Sequence, residues 1–271
     1  MRAFEPQPQD LVLSVLGAHL PERDRRVWSG GLVRILGEFG FSTAAGRVAL
    51  ARLVGRGLLQ RERDGRHIHY RITPRCAALL AEGDARILGL GRAPRDDAWT
   101  VLWHVIPEER RLDRGRLARR LRFLGFGSVQ ERTWIAAHDR EREVAALLEE
   151  LDLGRHAGML VGRPAMSLDF TGVVERAWDL DALADRYRAF LADFRPHVDR
   201  VSALAAQERK AFLLRTRLVH SYREFPYLDP ELPDGRTPLA RQRRDAVTIF
   251  QRLYSELRPA AQRHFDAVVA A

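Results

Sequence analysis

Residues 28–73 read WSGGLVRILGEFGFSTAAGRVALARLVGRGLLQRERDGRHIHYRIT. From Ser29, the apolar side chains Leu32, Ile35, Leu36 and Phe39 recur at helical spacing, and Gly40 ends the run. Ser42 is a natural N-cap for a second helix, with Val48, Leu50, Leu53 and Val54 as its apolar side and Arg47, Arg52 and Arg56 left to face elsewhere. Gly57 closes that helix. Leu58–Arg63 and His67–Ile72 then alternate as strands around Asp64-Gly65, a strong hairpin turn signal.

Helix, glycine turn, helix and charged hairpin, in that order, predict a winged helix-turn-helix. In that geometry the second helix enters the major groove of duplex DNA with its N-terminal residues near base edges. Ser42, Thr43 and Arg47 occupy that end, and the small Ala44, Ala45 and Gly46 permit close approach. Arginine there suits a bidentate contact to guanine, and Arg52 suits a phosphate contact. Arg61, Arg63, Arg66 and His67 gather at the hairpin tip, which is expected on the DNA backbone or in the minor groove. His67 and His69 share a strand face, but a pair without a third ligand does not define a metal site.

The 271-residue chain carries a formal charge of +9 with 46% hydrophobic residues, enough for a real core and a bias toward anionic partners. Lys210 is the only lysine, so arginine supplies nearly all of the positive charge, and the placement of arginines says more than their total. A single cysteine, Cys76, excludes an intrachain disulfide and argues against a cysteine metal site. The N-terminus has neither a basic region leading into a long apolar stretch nor a small-residue cleavage site. No apolar run approaches the roughly 18 residues that cross a bilayer. A cytoplasmic protein with no membrane partner is expected.

Residues 1–92 are expected to form the DNA-binding domain with a linker helix. Within it, residues 1–9 are loose, a helix capped by Asp10 runs to about Leu20, PERDRR is a loop, and the boundary falls in LGLGRAPRDD. Residues 93–174 are expected to form a middle, dimerising domain. Its strands are Trp99–Ile106, Val129–Ala136 and Met159–Val161. Its helices are Arg110–Leu124, with Leu112, Leu117, Leu121 and Leu124 as core, and Glu141–Leu151. The β-α-β-α-β order fits a ferredoxin-like sandwich, so the fold class is α+β. Residues 175–271 are expected to be helical: Leu180–Phe194 ended by Pro196, Val201 to about Glu224, and Leu239–Val269 kinked or split by Pro259.

Within the helical domain, Arg215, Arg217, His220, Tyr222 and Arg223 combine arginines with an aromatic ring. They could hold an aromatic acid or a phosphate-bearing effector such as a coenzyme A thioester. The same residues could equally pair with Glu224, Asp229 and Glu231. A metal-dependent nuclease on the middle domain would need an acid at the end of its first strand. The sequence there is His104-Val105-Ile106-Pro107-Glu108-Glu109, whose glutamates also suit a helix start. The residues therefore favour a non-enzymatic regulator without a cofactor. A nuclease and a protein-binding scaffold are the alternatives.

Three segments, the opening stretch among them, resemble one family. The winged-helix stretch with RHIHYRIT, the run from Arg114 to Gly127 with Trp99 and Thr133-Trp134-Ile135, and LVHSYREFPYLDPELP at 218–233 are together similar to the PaaX-type repressors of bacterial phenylacetate catabolism. The resemblance implies a homodimeric repressor that binds a double-stranded operator. It also implies release by an acyl-CoA effector, phenylacetyl-CoA in the best-known members. After Leu232-Pro233 the chain runs DGRTPLARQRRDA, where the family tends to place a tryptophan-proline turn.

Overall fold

The computed structural model describes residues 6–20, 22, 24–91, 98–165, 167 and 169–270. Residues 1–5 of the expected loose segment, Pro21 and Arg23 of the expected loop, and residues 92–97 of the expected boundary lie outside these. Helix α1 (Pro8–His19) starts earlier than the Asp10 cap predicts. Gln7 stands at the cap with no side-chain bond, and Asp10 lies in the first turn, at the positive end of the helix dipole. A short strand β1 (Val27–Trp28), not anticipated from the sequence, leads into α2 (Ser29–Glu38) and α3 (Thr43–Gly55).

Both of these helices end the same way. Gly40 (φ 90°) and Gly57 (φ 66°) take the left-handed conformation. Phe41 N–H then reaches the Leu36 carbonyl, and Leu58 N–H the Leu53 carbonyl. These are Schellman closures that satisfy otherwise orphaned carbonyls. β2 (Leu59–Asp64) and β3 (His67–Ile72) form the hairpin, and the antiparallel sheet has the order β1-β3-β2. Asp64 pairs with His67, so the two-residue loop is Gly65-Arg66, one position later than expected, with Gly65 at φ 56°. Helix α4 (Pro74–Gly89) follows.

Next come β4 (Trp99–His104), α5 (Arg111–Phe123), β5 (Gly127–Gln130), β6 (Thr133–Ala137), α6 (Glu141–Glu150) and β7 (Ala157–Gly162). The single strand expected over Val129–Ala136 is a hairpin of two, because Arg132 turns the chain at φ 65°. The resulting four-stranded antiparallel sheet has the order β5-β6-β4-β7. One face of it packs Leu102, Trp134 and Ala136 against Leu117, Leu121, Val144 and Leu147 of the two helices. Leu112, expected in that core, is 72% exposed. It sits five residues before Leu117, well off the buried stripe of a helix with about 3.6 residues per turn.

The remaining helices are α7 (Thr171–Ala177), α8 (Leu180–Val198), α9 (Val201–Ala205), α10 (Glu208–Tyr222), α11 (Phe225–Leu228), α12 (Ala240–Glu256) and α13 (Arg258–Val269). Pro196, expected to stop α8, lies inside its last turn, where it removes a bond from a helix about to end. The expected helix from Val201 to Glu224 is broken before α10, where Gln207 leaves helical dihedrals (φ −120°, ψ 89°). Pro259 splits the last helix and takes a first-turn place in α13.

The chain folds into two compact units. The first comprises Met1–Leu88, Ala189–Arg223 and Ala246–Ala271, so helices from the C-terminal third pack on α1–α3. A Cβ at Gly31 of α2 would lie 2.7 Å from the Val268 carbonyl oxygen of α13. Glu38, at the end of α2, accepts from Arg209 Nε at 3.0 Å and pairs with His264 Nε2 at 2.9 Å. The second unit comprises Gly89–Arg188 and Glu224–Asp245. On its second sheet face Trp99, Ile135 and Ala137 pack with Val174 and Leu232. The buried Asp229 carboxylate accepts from Tyr187 Oη at 2.6 Å and Arg243 Nε at 2.8 Å. Arg243 also donates to the Leu232 carbonyl at 3.0 Å, which fixes the segment after α11.

Candidate nucleic-acid interface

The α3 helix has two faces set by its sequence. Gly46, Ala49, Leu50 and Leu53 point into the core. A Cβ at Gly46 would come within 3.3 Å of Leu36 on α2, so its absence lets the two helices approach. The opposite face exposes Thr43, Ala44, Arg47, Val48, Ala51 and Arg52, a run that follows helical periodicity. Ser42 caps the helix by accepting from Ala45 N–H at 3.2 Å, so its hydroxyl is already partly engaged. Val48, expected in the core, is 50% exposed and stands beside Arg47. The buried arc is instead completed by Gly46 and Ala49, too small to register in the hydrophobic pattern.

At the hairpin, Arg61, Arg63, Arg66 and His67 are all exposed. Arg63 bends back and donates from Nε to the Gly65 carbonyl at 3.0 Å, so it braces its own turn. His67 meets the Trp28 ring edge-on at 6.5 Å, and the Arg34 guanidinium lies 4.7 Å over the same tryptophan. Trp28 lies so close over Gly30 that a Cβ there would be 2.3 Å from the ring. Arg34 is a surface residue that the sequence did not single out, and Val48 is one that the sequence pattern assigned to the core. Arg34 carried no positional signal until the Trp28 ring was placed. Arg47, Arg52, Arg61 and Arg66 have no carboxylate partner among the described residues, in contrast to Arg71, which pairs with Glu62 at 2.9 Å.

A family model described as "PaaX-like protein" matches residues 7–76, "PaaX protein central Cas2-like domain" matches 92–172, and "PaaX-like protein C-terminal domain" matches 178–267. The chain belongs to the PaaX family. Transcriptional repressor PaaX of Escherichia coli (strain K12) is 27% identical over 259 residues, covering 93% of this chain and 80% of that protein. Among solved structures, uncharacterized protein Rv0674 from Mycobacterium tuberculosis matches with a TM-score of 0.54 and 24% identity. That match covers 97% of this chain and 98% of the other, a likeness of fold.

In this PaaX-family chain the α10 cluster is distributed over two environments. Arg215 is 1% exposed, donates to the Tyr254 and Ala18 carbonyls at 3.1 and 2.8 Å, and lies 4.1 Å over the Tyr254 ring. Burial pulls its guanidinium below the usual arginine range. Next to it, His19 bonds Thr216 Oγ1 at 3.0 Å, and burial followed by the Arg215 charge holds its imidazole well below the usual histidine range. His220 Nδ1 lies 2.9 Å from Ser14 Oγ, and its pKa is pushed down to about 4 by burial, then by the Arg223 charge. Arg223 donates to Ser14 Oγ and the Asp10 carbonyl. Tyr222 stacks on Phe250 at 3.9 Å in the core, and Arg217 points outward. Arg215, His220, Tyr222 and Arg223 thus fasten α10 to α1 and α12. In the second unit, His104 is buried and Glu108 accepts from Arg114 at 3.0 Å. No group of three or more His, Cys, Asp or Glu among the described residues could hold a metal. No described helix is long and apolar enough to cross a membrane.

Proposed function

We propose that this chain is a sequence-specific DNA-binding repressor of transcription, acting in the cytoplasm as a homodimer. On this reading α1–α3 and the β2–β3 hairpin work as a winged helix-turn-helix. Thr43 and Arg47 meet base edges, Arg52 meets phosphate, and Arg61, Arg66 and His67 bind backbone or minor groove. The observation that carries the proposal is the solvent face of α3, where Arg47 and Arg52 are exposed and have no carboxylate partner among the described residues. Val48 on that face supplies a branched apolar group suited to a thymine methyl. The relationship to transcriptional repressor PaaX supports the same reading.

The second-unit sheet, read as ferredoxin-like from its strand order, is the proposed dimerisation element. Its exposed Trp103, Val105 and Leu160 offer apolar surface for a second copy. The effector is proposed to be an aryl-CoA thioester, which releases the operator by changing the spacing of the two recognition helices. A coupling of about 1–3 kcal/mol suffices, since it changes affinity roughly 5–150-fold.

Genome-wide mapping of bound sites supplies an operator, and fluorescence anisotropy with it tests the interface. Arg47→Ala is expected to cost about 1–3 kcal/mol and relax preference at one base position. Unchanged affinity and selectivity would remove α3 from the readout. Phenylacetyl-CoA, but not free phenylacetate, is expected to release the operator; release by the free acid alone would reject the thioester.

A further inference from the structure

The two helices on the sheet of the second unit separate their charges. Helix α5 carries six arginines against one acid, Asp113, whereas α6 carries four glutamates against one arginine. Three of the α5 arginines are tied to carboxylates: Arg114 to Glu108 at 3.0 Å, Arg116 to Asp113 at 3.1 Å, and Arg120 to Glu150 of α6 at 3.6 Å. The other three, Arg111, Arg119 and Arg122, are exposed and have no carboxylate partner among the described residues.

Those three share one flank. At about 100° of rotation per residue, they fall within about 80° of one another around the helix axis. The flank is turned away from Leu117 and Leu121, which are buried against the sheet, and from Arg120, which marks the α6 side. Asp113 lies about 160° round from its centre, so the stripe carries no acid of its own helix. From Arg111 to Arg122 it is roughly 16 Å long. The Trp134 ring, 5.3 Å below the Arg122 guanidinium, holds one end in place. Gly115 stands at the middle, where an added Cβ would meet only Arg119 Nη1 at 3.7 Å, so the helix backbone is bare between the charges.

We propose that this flank of α5 binds the sugar-phosphate backbone of duplex DNA, as a second contact besides α3 and the hairpin. Guanidinium forks match phosphate oxygens, and phosphate contacts hold a protein on a duplex without reading its sequence. The stripe is about half as long as one duplex turn of roughly 34–36 Å, so its arginines suit successive phosphates of a backbone. A helix that lies in an anionic membrane needs a broad apolar face open to the lipid. Here the apolar face is spent on the sheet, and Leu112 is the one large apolar side chain of α5 that is exposed. The proposal rests on the DNA-binding reading above for its partner, but on different residues.

Salt titrations of the full chain on a random-sequence duplex of about 40 base pairs, some four helical turns, test it by fluorescence anisotropy. The triple substitution Arg111→Gln, Arg119→Gln, Arg122→Gln is expected to lower the slope of log affinity against log salt by about two to three. It is expected to weaken binding roughly tenfold at about 0.1 M salt, with the melting curve unchanged. A control removes the same charge from arginines already paired nearby: Arg188→Gln, Arg244→Gln and Arg252→Gln, whose partners are Asp185, Asp234 and Glu256. Its slope is expected to change by less than about one. Equal slopes for the two triples would overturn the α5 contact and leave the α3 reading standing. Weakening by the α5 triple, while Arg47→Ala, Arg66→Ala binds as the unaltered chain does, keeps the α5 contact and defeats the α3 reading. Failure of the unaltered chain to bind duplex would overturn both. Sedimentation with phosphatidylserine–phosphatidylcholine vesicles supplies the last arm. Vesicle binding that the α5 triple abolishes, with duplex slopes untouched, would reassign the flank to anionic lipid and overturn the proposal.

Discussion

The guanidinium of Arg215 on α10 donates to the carbonyl oxygen of Ala18 near the end of α1, 2.8 Å away, across 197 positions of sequence. The terminal carbonyls of a helix need external donors, and here the donor is a buried arginine from a distant segment. Arg215→Met is expected to destabilise the first unit by about 2–4 kcal/mol, since it leaves buried carbonyls unpaired. Arg217→Met, on the solvent side of the same helix, is expected to stay within about 0.5 kcal/mol. Urea unfolding of the two variants makes the comparison; equal losses would contradict the assignment of Arg215.

The hairpin arginines are not equivalent. Arg66 has no carboxylate partner among the described residues, while Arg63 is bonded to the Gly65 carbonyl. Arg66→Ala is expected to weaken operator binding evenly across sequences and to lower the salt slope by about one. Arg63→Ala is expected to change the slope less. A salt titration of both variants decides between them, and identical slopes would dissociate the turn geometry from DNA contact.

Two glycines of α2 make opposite predictions. At Gly31 a methyl group would meet backbone atoms of Val268 and Val269 within 2.8 Å, and backbone cannot step aside cheaply. Gly31→Ala is expected to cost about 1–3 kcal/mol through overpacking. Gly37 faces open space, and Gly37→Ala is expected to gain up to about 1 kcal/mol from helix propensity. Thermal melts of the pair would expose an error in the seating of α13 if both shifted upward.

Acid should loosen the first unit in a defined window. The folded-state pKa of His220 is about 4 against an ordinary 6.5, and that of His19 is also lowered. Between these values the unfolded chain binds more protons than the folded one, so stability falls as pH drops from about 6.5 toward 4. His220→Gln is expected to flatten part of this slope. Urea midpoints at pH 7 and pH 5 measure it; an unaltered slope in the variant would assign the titration elsewhere.

The helices, the hairpin and the fold class were legible because their signals are local: Gly40 and Gly57 as stops, Ser42 as a cap, Gly65 in the turn. The face of α3 was legible only in part, since Ala49 and Gly46 fill the core where Val48 seemed the better candidate. The hairpin between β5 and β6 was hidden because it turns on Arg132, a residue type with no turn preference. The α10 cluster was legible as a group by its spacing, but its contacts were not. Its partners Ser14, Ala18 and His19 lie roughly two hundred residues upstream, where no periodicity could point.

The seating of α13 against Gly31 also governs the order in which the protein can mature on the ribosome. The helices α1–α3 and the β2–β3 hairpin are translated first, yet α13, which closes over α2, is translated only after about 185 further residues. At about 5–20 residues per second that gap is roughly ten to forty seconds. During it, Gly31 waits without the α13 backbone that seats against it, while Leu36 of α2 already has Gly46 of α3 to pack on. A nascent chain therefore carries α2 and α3 complete well before α13 is there to close over Gly31.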